Sequence, residues 1–140
     1  MPHKFDEKQA KKIAQKLLGS KFELGGRLFG ISLDCYGLLI AFFKEFGIEL
    51  PDYSYLDDWA ENEDQYLRRY QSLARRLNED EKLEIGDIVI FGKVPEIGNH
   101  AGVVIEKNKF VHCCYKIGTR IDSVNDEKWK SHTILRLRLK

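Results

Sequence analysis

The residue best placed to do chemistry is Cys35. It stands in Leu33-Asp34-Cys35-Tyr36-Gly37-Leu38-Leu39, where a glycine-rich stretch gives way to an apolar helical pattern. The start of a helix offers backbone N–H groups that lack intrahelical partners, together with the positive end of the helix dipole. Both favour thiolate over thiol and lower a cysteine pKa. The same N–H groups can hold the oxyanion that forms when a thiolate attacks a carbonyl. Gly37 permits close approach at the first turn. Position alone fits better a small buried residue that opens a core helix.

A thiol nucleophile needs a base, and the base needs a polar group to fix its ring. His100 opens Asn99-His100-Ala101-Gly102-Val103-Val104-Ile105, and His112 lies in Phe110-Val111-His112-Cys113-Cys114. These runs flank Lys107-Asn108-Lys109 and read as a hairpin. His100 stands eight residues before Asn108 and His112 four after it, so an ideal ladder does not set them opposite. A twist or bulge would bring the rings together. Alternation groups Phe110, His112 and Cys114 on one face, with Val111, Cys113 and Tyr115 on the other. With His112 turned towards the helix of Cys35, Cys113 faces away as inert packing. Taken singly, His112 also reads as a satisfied core histidine and His100 as a loop residue. Zinc-type ligands are present in His100, His112, Cys113 and Cys114. Alternate faces keep the two cysteines from sharing one site, and no tetrahedral ligand spacing is present. No metal or cofactor is expected.

The elements that must position these groups follow from periodicity. Phe5 to Leu18 reads as a helix with Ala10, Ile13, Ala14, Leu17 and Leu18 on one stripe. Leu24 to Gly30 reads as loop. Asp34 to Phe46 reads as a second helix, with Asp34 as cap and Leu38, Leu39, Phe42, Phe43 and Phe46 as a broad apolar face. Residues 52–82, rich in charge and tyrosine, read as a helical insertion, with a helix from about Asn62 to Leu77 carried by Tyr66, Tyr70, Leu73 and Leu77. Strands are expected at Ile85–Phe91, Ala101–Glu106, Phe110–Tyr115, Thr119–Ser123 and Thr133–Leu139. Helices first and strands afterwards predict an α+β fold with an antiparallel sheet, in one domain over residues 1–140.

Bulk properties narrow the partners. With 140 residues, 43% hydrophobic and 32% charged, the chain can bury a core without disulfide or metal support. Three cysteines, two of them adjacent, are not a disulfide framework. A net charge of +1 gives no reason to expect nucleic acid or an anionic membrane. No run approaches the roughly 20 apolar residues of a membrane span, and no apolar stretch follows the charged N-terminus as in a secretory signal. The expectation is a chain that is cytoplasmic as synthesised.

Five pieces in order resemble the NlpC-type cysteine peptidases, bacterial cell-wall enzymes with a papain-like core. They are Lys21-Phe22-Glu23-Leu24-Gly25-Gly26-Arg27, Asp34-Cys35-Tyr36-Gly37-Leu38-Leu39, Gly86-Asp87-Ile88-Val89-Ile90-Phe91, Asn99-His100-Ala101-Gly102-Val103-Val104-Ile105 and Lys109-Phe110-Val111-His112-Cys113. The resemblance implies Cys35 as nucleophile, His100 as base and His112 as the orienting residue. It implies a helix bearing Cys35 packed on an antiparallel sheet bearing both histidines. Phe22, Gly25, Gly26, Asp34 and Tyr36 would lie at the substrate. That substrate would be a peptidoglycan stem peptide, cut between D-glutamate and a diamino acid. The Gly-Gly-Arg loop, Asp-Cys-Tyr-Gly-Leu and Gly47 to Pro51 look like the branch found in tail-assembly proteins of long-tailed phages. That branch implies tail proteins as partners and association with a virion. Tyr36 replaces the family's usual Ser, and Phe22 replaces a common Tyr whose hydroxyl is then missing. The rival expectations are a tail-assembly component without catalysis, and an acyltransferase or deamidase using the same thioester.

Overall fold

The computed structural model describes residues 3–52, 68 and 70–140. Helix α1 spans Glu7–Leu17, and its cap is Asp6, which accepts a hydrogen bond from the Gln9 amide at 2.9 Å. Ala10, Ile13, Ala14 and Leu17 are buried, which is the predicted stripe without Leu18. Three two-residue strands follow, β1 (Lys21–Phe22), β2 (Arg27–Leu28) and β3 (Ser32–Leu33), ordered β1-β3-β2. Part of the expected loop is therefore paired: Phe22 and Arg27 both lie beside Leu33. Helix α2 spans Cys35–Lys44 and buries Leu38, Leu39, Phe42 and Phe43. Each such side chain contributes on the order of 1.5–3 kcal/mol. The helix ends before Gly47, which has a left-handed φ of 77°.

The strands β4 (Ala74–Arg76), β5 (Ile88–Val94), β6 (Gly98–Glu106), β7 (Lys109–Cys114), β8 (Gly118–Ser123) and β9 (Thr133–Leu139) form one sheet in the order β4-β9-β5-β6-β7-β8. Every pairing is antiparallel, as expected. A short helix α3, Glu127–Lys130, joins β8 to β9 and buries Trp129. The expected helix to Leu77 needs correction. Arg68, Tyr70 and Gln71 are helical, but Ala74–Arg76 pairs with the final strand. The edge of β9 offers unpaired backbone groups to that segment, and pairing overrides helical spacing. The remainder of that predicted helix, residues 62–67 and 69, lies outside the described residues.

Both faces of the sheet are buried. Helices α1 and α2 cover the face that carries Ile88, Ile90, Ala101, Val103, Val111, Cys113 and Leu137. Val89, Phe91, Val104, Phe110 and Cys114 pack with Trp129 on the other. Asp87 ties β9 to the start of β5. It takes two 2.8 Å bonds from the Arg138 guanidinium, and it accepts the Glu84 amide at 2.7 Å. Gly86, with φ of 89°, has the Phe5 ring against its Cα, so a Cβ there would collide with the ring. The Gly86-Asp87 motif is thus a structural joint.

Candidate active site

Cys35 is the first residue of α2 and is fully buried. Asp34 caps the helix as predicted, and it also organises the loop beside it. Its Oδ1 accepts from the Gly37 amide at 2.7 Å and from Arg27 Nη1 at 2.9 Å, while Oδ2 accepts from the Gly25 amide at 2.7 Å. Arg27 continues to Asp52 at 3.0 Å. Two glycines make the fit possible. A Cβ on Gly26 would fall 2.9 Å from the Leu33 backbone, and one on Gly37 would collide with the Gly26 carbonyl oxygen. Tyr36 is buried, and its hydroxyl donates to the Pro51 carbonyl at 2.6 Å. Asp34, Gly26 and Tyr36 set the loop against the helix start.

The two histidines meet. His100 Nε2 and His112 Nδ1 are 2.7 Å apart, and His112 Nε2 is 2.7 Å from Asp122 Oδ2. Ladder register explains how. Val103 pairs with Val111, and continuing that register sets Gly102 opposite His112. The missing side chain at Gly102 leaves room, since a Cβ there would lie 2.5 Å from the Phe110 ring and 3.2 Å from His112 Cβ. The His112 ring can then reach diagonally to His100. A bulge between Val104 and Glu106 sets this register.

Protons can be assigned from the acceptors. Burial works to raise the Asp122 carboxyl, but the His112 hydrogen bond and charge, with Arg120 and Lys128, outweigh it and hold the pKa below the usual value. Ionised Asp122 only accepts, so His112 Nε2 carries the proton. Burial, only partly offset by Asp122, lowers the His112 pKa and keeps the ring neutral at pH 7. Its Nδ1 is therefore an acceptor, and His100 Nε2 must be the donor. This leaves a lone pair on His100 Nδ1, as a general base requires. Burial first, then repulsion from His112 in its protonated form and from Lys128, push the His100 pKa well below the ordinary value. The walls of this burial are aromatic. Phe91 stacks on His100 at 27°, Phe110 lies 4.4 Å from His112, and Trp129 meets His112 edge-on at 4.7 Å.

One facing expectation is reversed. His112 points to the sheet face away from α2, and it is Cys113 that faces the helices. The Cys113 thiol donates to the Leu33 carbonyl at 3.3 Å, two residues before Cys35, and burial pushes its pKa up to about 11. It packs in one cluster with Cys35, Ala101 and Val111. Cys114 shares the histidine face, 3.1 Å from His112 Nδ1, with its thiol pushed up to about 12 by burial.

A cavity of about 180 Å³ opens at His100, lined also by Phe22, Leu24, Ile97, Asn99 and Tyr115. Phe22 and Tyr115 pack edge to face with centroids 5.5 Å apart. Phe22 alone of the expected substrate residues lines this cavity, and through its pairing with Leu33 it joins the Cys35 loop to the histidines. Asn99 is 1% exposed, yet neither atom of its carboxamide has a partner among the described residues. Sequence reading missed Asn99, Asp122 and Trp129. The alternating charges of Arg120 and Asp122 in a short strand were the available signal for the second. Only the unobserved register links it to His112.

Comparison with known proteins agrees with this arrangement. The NlpC/P60 family pattern matches residues 19–138. A "Probable endopeptidase NlpC homolog" of Haemophilus influenzae is 29% identical over 124 residues, covering 88% of this chain and 57% of that protein. "Tail tip assembly protein K" of Escherichia phage N15 is 34% identical over 87 residues, 59% of this chain and 35% of that protein. The chain thus spans about half the length, or less, of these curated relatives. Among solved structures, an NLP/P60-family protein similar to lipoprotein from Staphylococcus aureus superposes with a TM-score of 0.69 at 24% identity, over 99% of this chain and 43% of that one. The NlpC/p60 domain of the peptidoglycan hydrolase SagA gives 0.65 at 14% identity, over 95% and 98%. With the cysteine motif, both histidines and the papain-like α+β fold in place, this chain belongs to the NlpC/P60 family.

Proposed function

We propose that this chain is a thiol-dependent endopeptidase that cuts the amide between D-glutamate and a diamino acid in peptidoglycan stem peptides. The observation that supports the reading is the ordered relay Asp122–His112–His100, which leaves a lone pair on His100 Nδ1. In this reading His100 Nδ1 takes the Cys35 proton, and the thiolate attacks the carbonyl carbon. The Cys35 amide at the start of α2 helps hold the resulting oxyanion. His100 then returns the proton to the leaving amine. A water activated by the same atom hydrolyses the thioester. Neutral His112, anchored by Asp122, holds the His100 ring and offsets its transient charge. The cavity beside His100 receives the stem peptide, with the Asn99 carboxamide reading a peptide group and Phe22 with Tyr115 forming the apolar walls.

The likeness to a phage tail-tip protein supports a second reading, in which the domain serves on a virion and binds tail proteins. The deciding experiment is incubation of purified protein with a muropeptide containing the D-glutamyl–diamino acid bond, beside Cys35→Ala and His100→Ala. Cleavage lost in both variants supports the peptidase. A folded wild type that neither cleaves nor reacts with an alkylating agent at Cys35 would overturn it and leave the tail role.

A further inference from the structure

The relay contains one donor too many. Because His112 Nε2–H is engaged by Asp122, His112 has a single lone pair, on Nδ1. Two groups reach for it, His100 Nε2 at 2.7 Å and the Cys114 thiol at 3.1 Å, and Cys114 Sγ also lies 3.8 Å from His100 Nε2. One lone pair cannot satisfy both donors. The three atoms form a buried triangle lying within 4.8 Å, with all three corners of a type that ligates soft cations. We propose that His100 Nε2, His112 Nδ1 and Cys114 Sγ bind one thiophilic divalent cation of the zinc class, and that this ion switches the peptidase off.

The geometry is near what such an ion needs. Ordinary zinc–nitrogen and zinc–sulfur bonds at tetrahedral angles set N···N near about 3.4 Å and N···S near about 3.6 Å. The triangle must open by less than about 1 Å along its shortest edge, within reach of small ring and thiol rotations. The surroundings fit as well. Asp122 on the far nitrogen of His112 is the carboxylate–histidine–metal arrangement that orients ligating imidazoles. The ion's two charges are matched by the Cys114 thiolate and by Asp122. Phe91, Phe110 and Trp129 close the rest of the site, and the cavity reaches one of the three ligands, His100. Cys113, one residue earlier, faces the other side of the sheet and cannot join.

The proton balance explains the switch. On binding, Cys114 releases its thiol proton to solvent, one per ion. His100 keeps one ring proton but moves it from Nε2, now bound to metal, to Nδ1. That tautomer has no lone pair with which to deprotonate Cys35. The inhibitory half of the proposal rests on the peptidase reading, and the binding half does not.

The test begins with the Cys35→Ala protein, so that the nucleophile cannot supply the thiolate. Zinc content after equilibration and gel filtration is measured, along with the near-ultraviolet sulfur-to-metal charge-transfer band on titration with Co²⁺. One equivalent per chain and a band, both lost on adding Cys114→Ser or Cys114→Ala while circular dichroism shows a folded chain, are expected. Absence of binding in the Cys35→Ala parent, or binding unchanged by both Cys114 substitutions, would overturn the site. In the Cys35-containing protein, zinc should suppress muropeptide cleavage at least tenfold and a chelator should restore it. In the Cys114 variants, the ratio to each variant's own zinc-free rate should approach one. Stoichiometric zinc with undiminished cleavage would overturn the switch. A wild type inactive without metal would refute the peptidase reading, while metal content still decides the site.

Discussion

Mild acid should weaken this fold through His100 before its carboxylates are protonated. The ring is fully buried between Phe91 and Trp129 and is held neutral, with a pKa well below the usual 6.5. The unfolded chain keeps the ordinary value. Below pH 6.5 the unfolded state therefore binds a proton that the folded state refuses, and stability falls as pH falls. The contribution is intact above the unfolded pKa and is lost downward from there. One proton refused by the fold costs at most about 1.4 kcal/mol for each pH unit below the unfolded value. His112 adds in the same direction, less strongly, because Asp122 opposes the effect of burial. Asp122 and Glu106 have lowered pKa values, and Glu81 is lowered to about 2, so these groups act in a more acidic window. The assay is guanidinium unfolding at a series of pH values, comparing wild type with His100→Gln. The wild type should lose stability steadily from about pH 6.5 downward, by no more than about 1.4 kcal/mol per pH unit from this ring. The variant should show a visibly flatter profile whatever its absolute stability. Parallel profiles would refute the claim that His100 is held neutral by its surroundings.

Further outcomes follow from the same geometry. Asp122→Ala removes the partner of a buried N–H; kcat/KM should fall about 10–100-fold and stability by about 1.5–3 kcal/mol, with Asp122→Asn milder because its amide oxygen still accepts. Asn99→Leu replaces an unpartnered buried carboxamide with an apolar group of similar size; thermal denaturation should show a more stable chain while KM for the muropeptide rises. Gly37→Ala drives a methyl group into the Gly26 carbonyl and should cost about 1–3 kcal/mol in denaturant titration, with loss of activity because the loop and helix start separate. The acid limb of the kcat/KM profile should lie below the ordinary histidine pKa, and a limb at or above it would contradict a buried neutral base.

Much of this site is written in local signals. An Asp before a run of apolar residues at helical spacing identifies a capped helix, and a cysteine one residue on must sit at its start. The expected strands fell near their observed positions because β-branched runs and turn residues act over a few positions. What the sequence hid depends on distant pairing. Ile88-Val89-Ile90-Phe91 is apolar on both faces, so alternation separates two faces without saying which one carries the helices, and the condition that His112 faces the helix of Cys35 is not met. Asp122 meets His112 only through the β7–β8 register, and Asn99 shows its importance only by lacking a partner among the described residues. Tyr70, Leu73 and Leu77 have helical spacing, but three residues between them fill an exposed strand edge, a demand made by β9 and absent from the local sequence.

The register of β6 against β7 also makes the hairpin turn a point of failure in the inheritance of this protein. Side chains of β7 alternate between two dry surfaces of similar apolar character, so a chain shortened by one residue at Lys107–Lys109 could still pair, with Val111 and Cys113 exchanged for His112 and Cys114. Such a deletion would turn His112 to the helix face and dismantle the relay. Length variation at this turn should thus be purged by loss of function more stringently than by loss of folding, whereas most surface turns tolerate it.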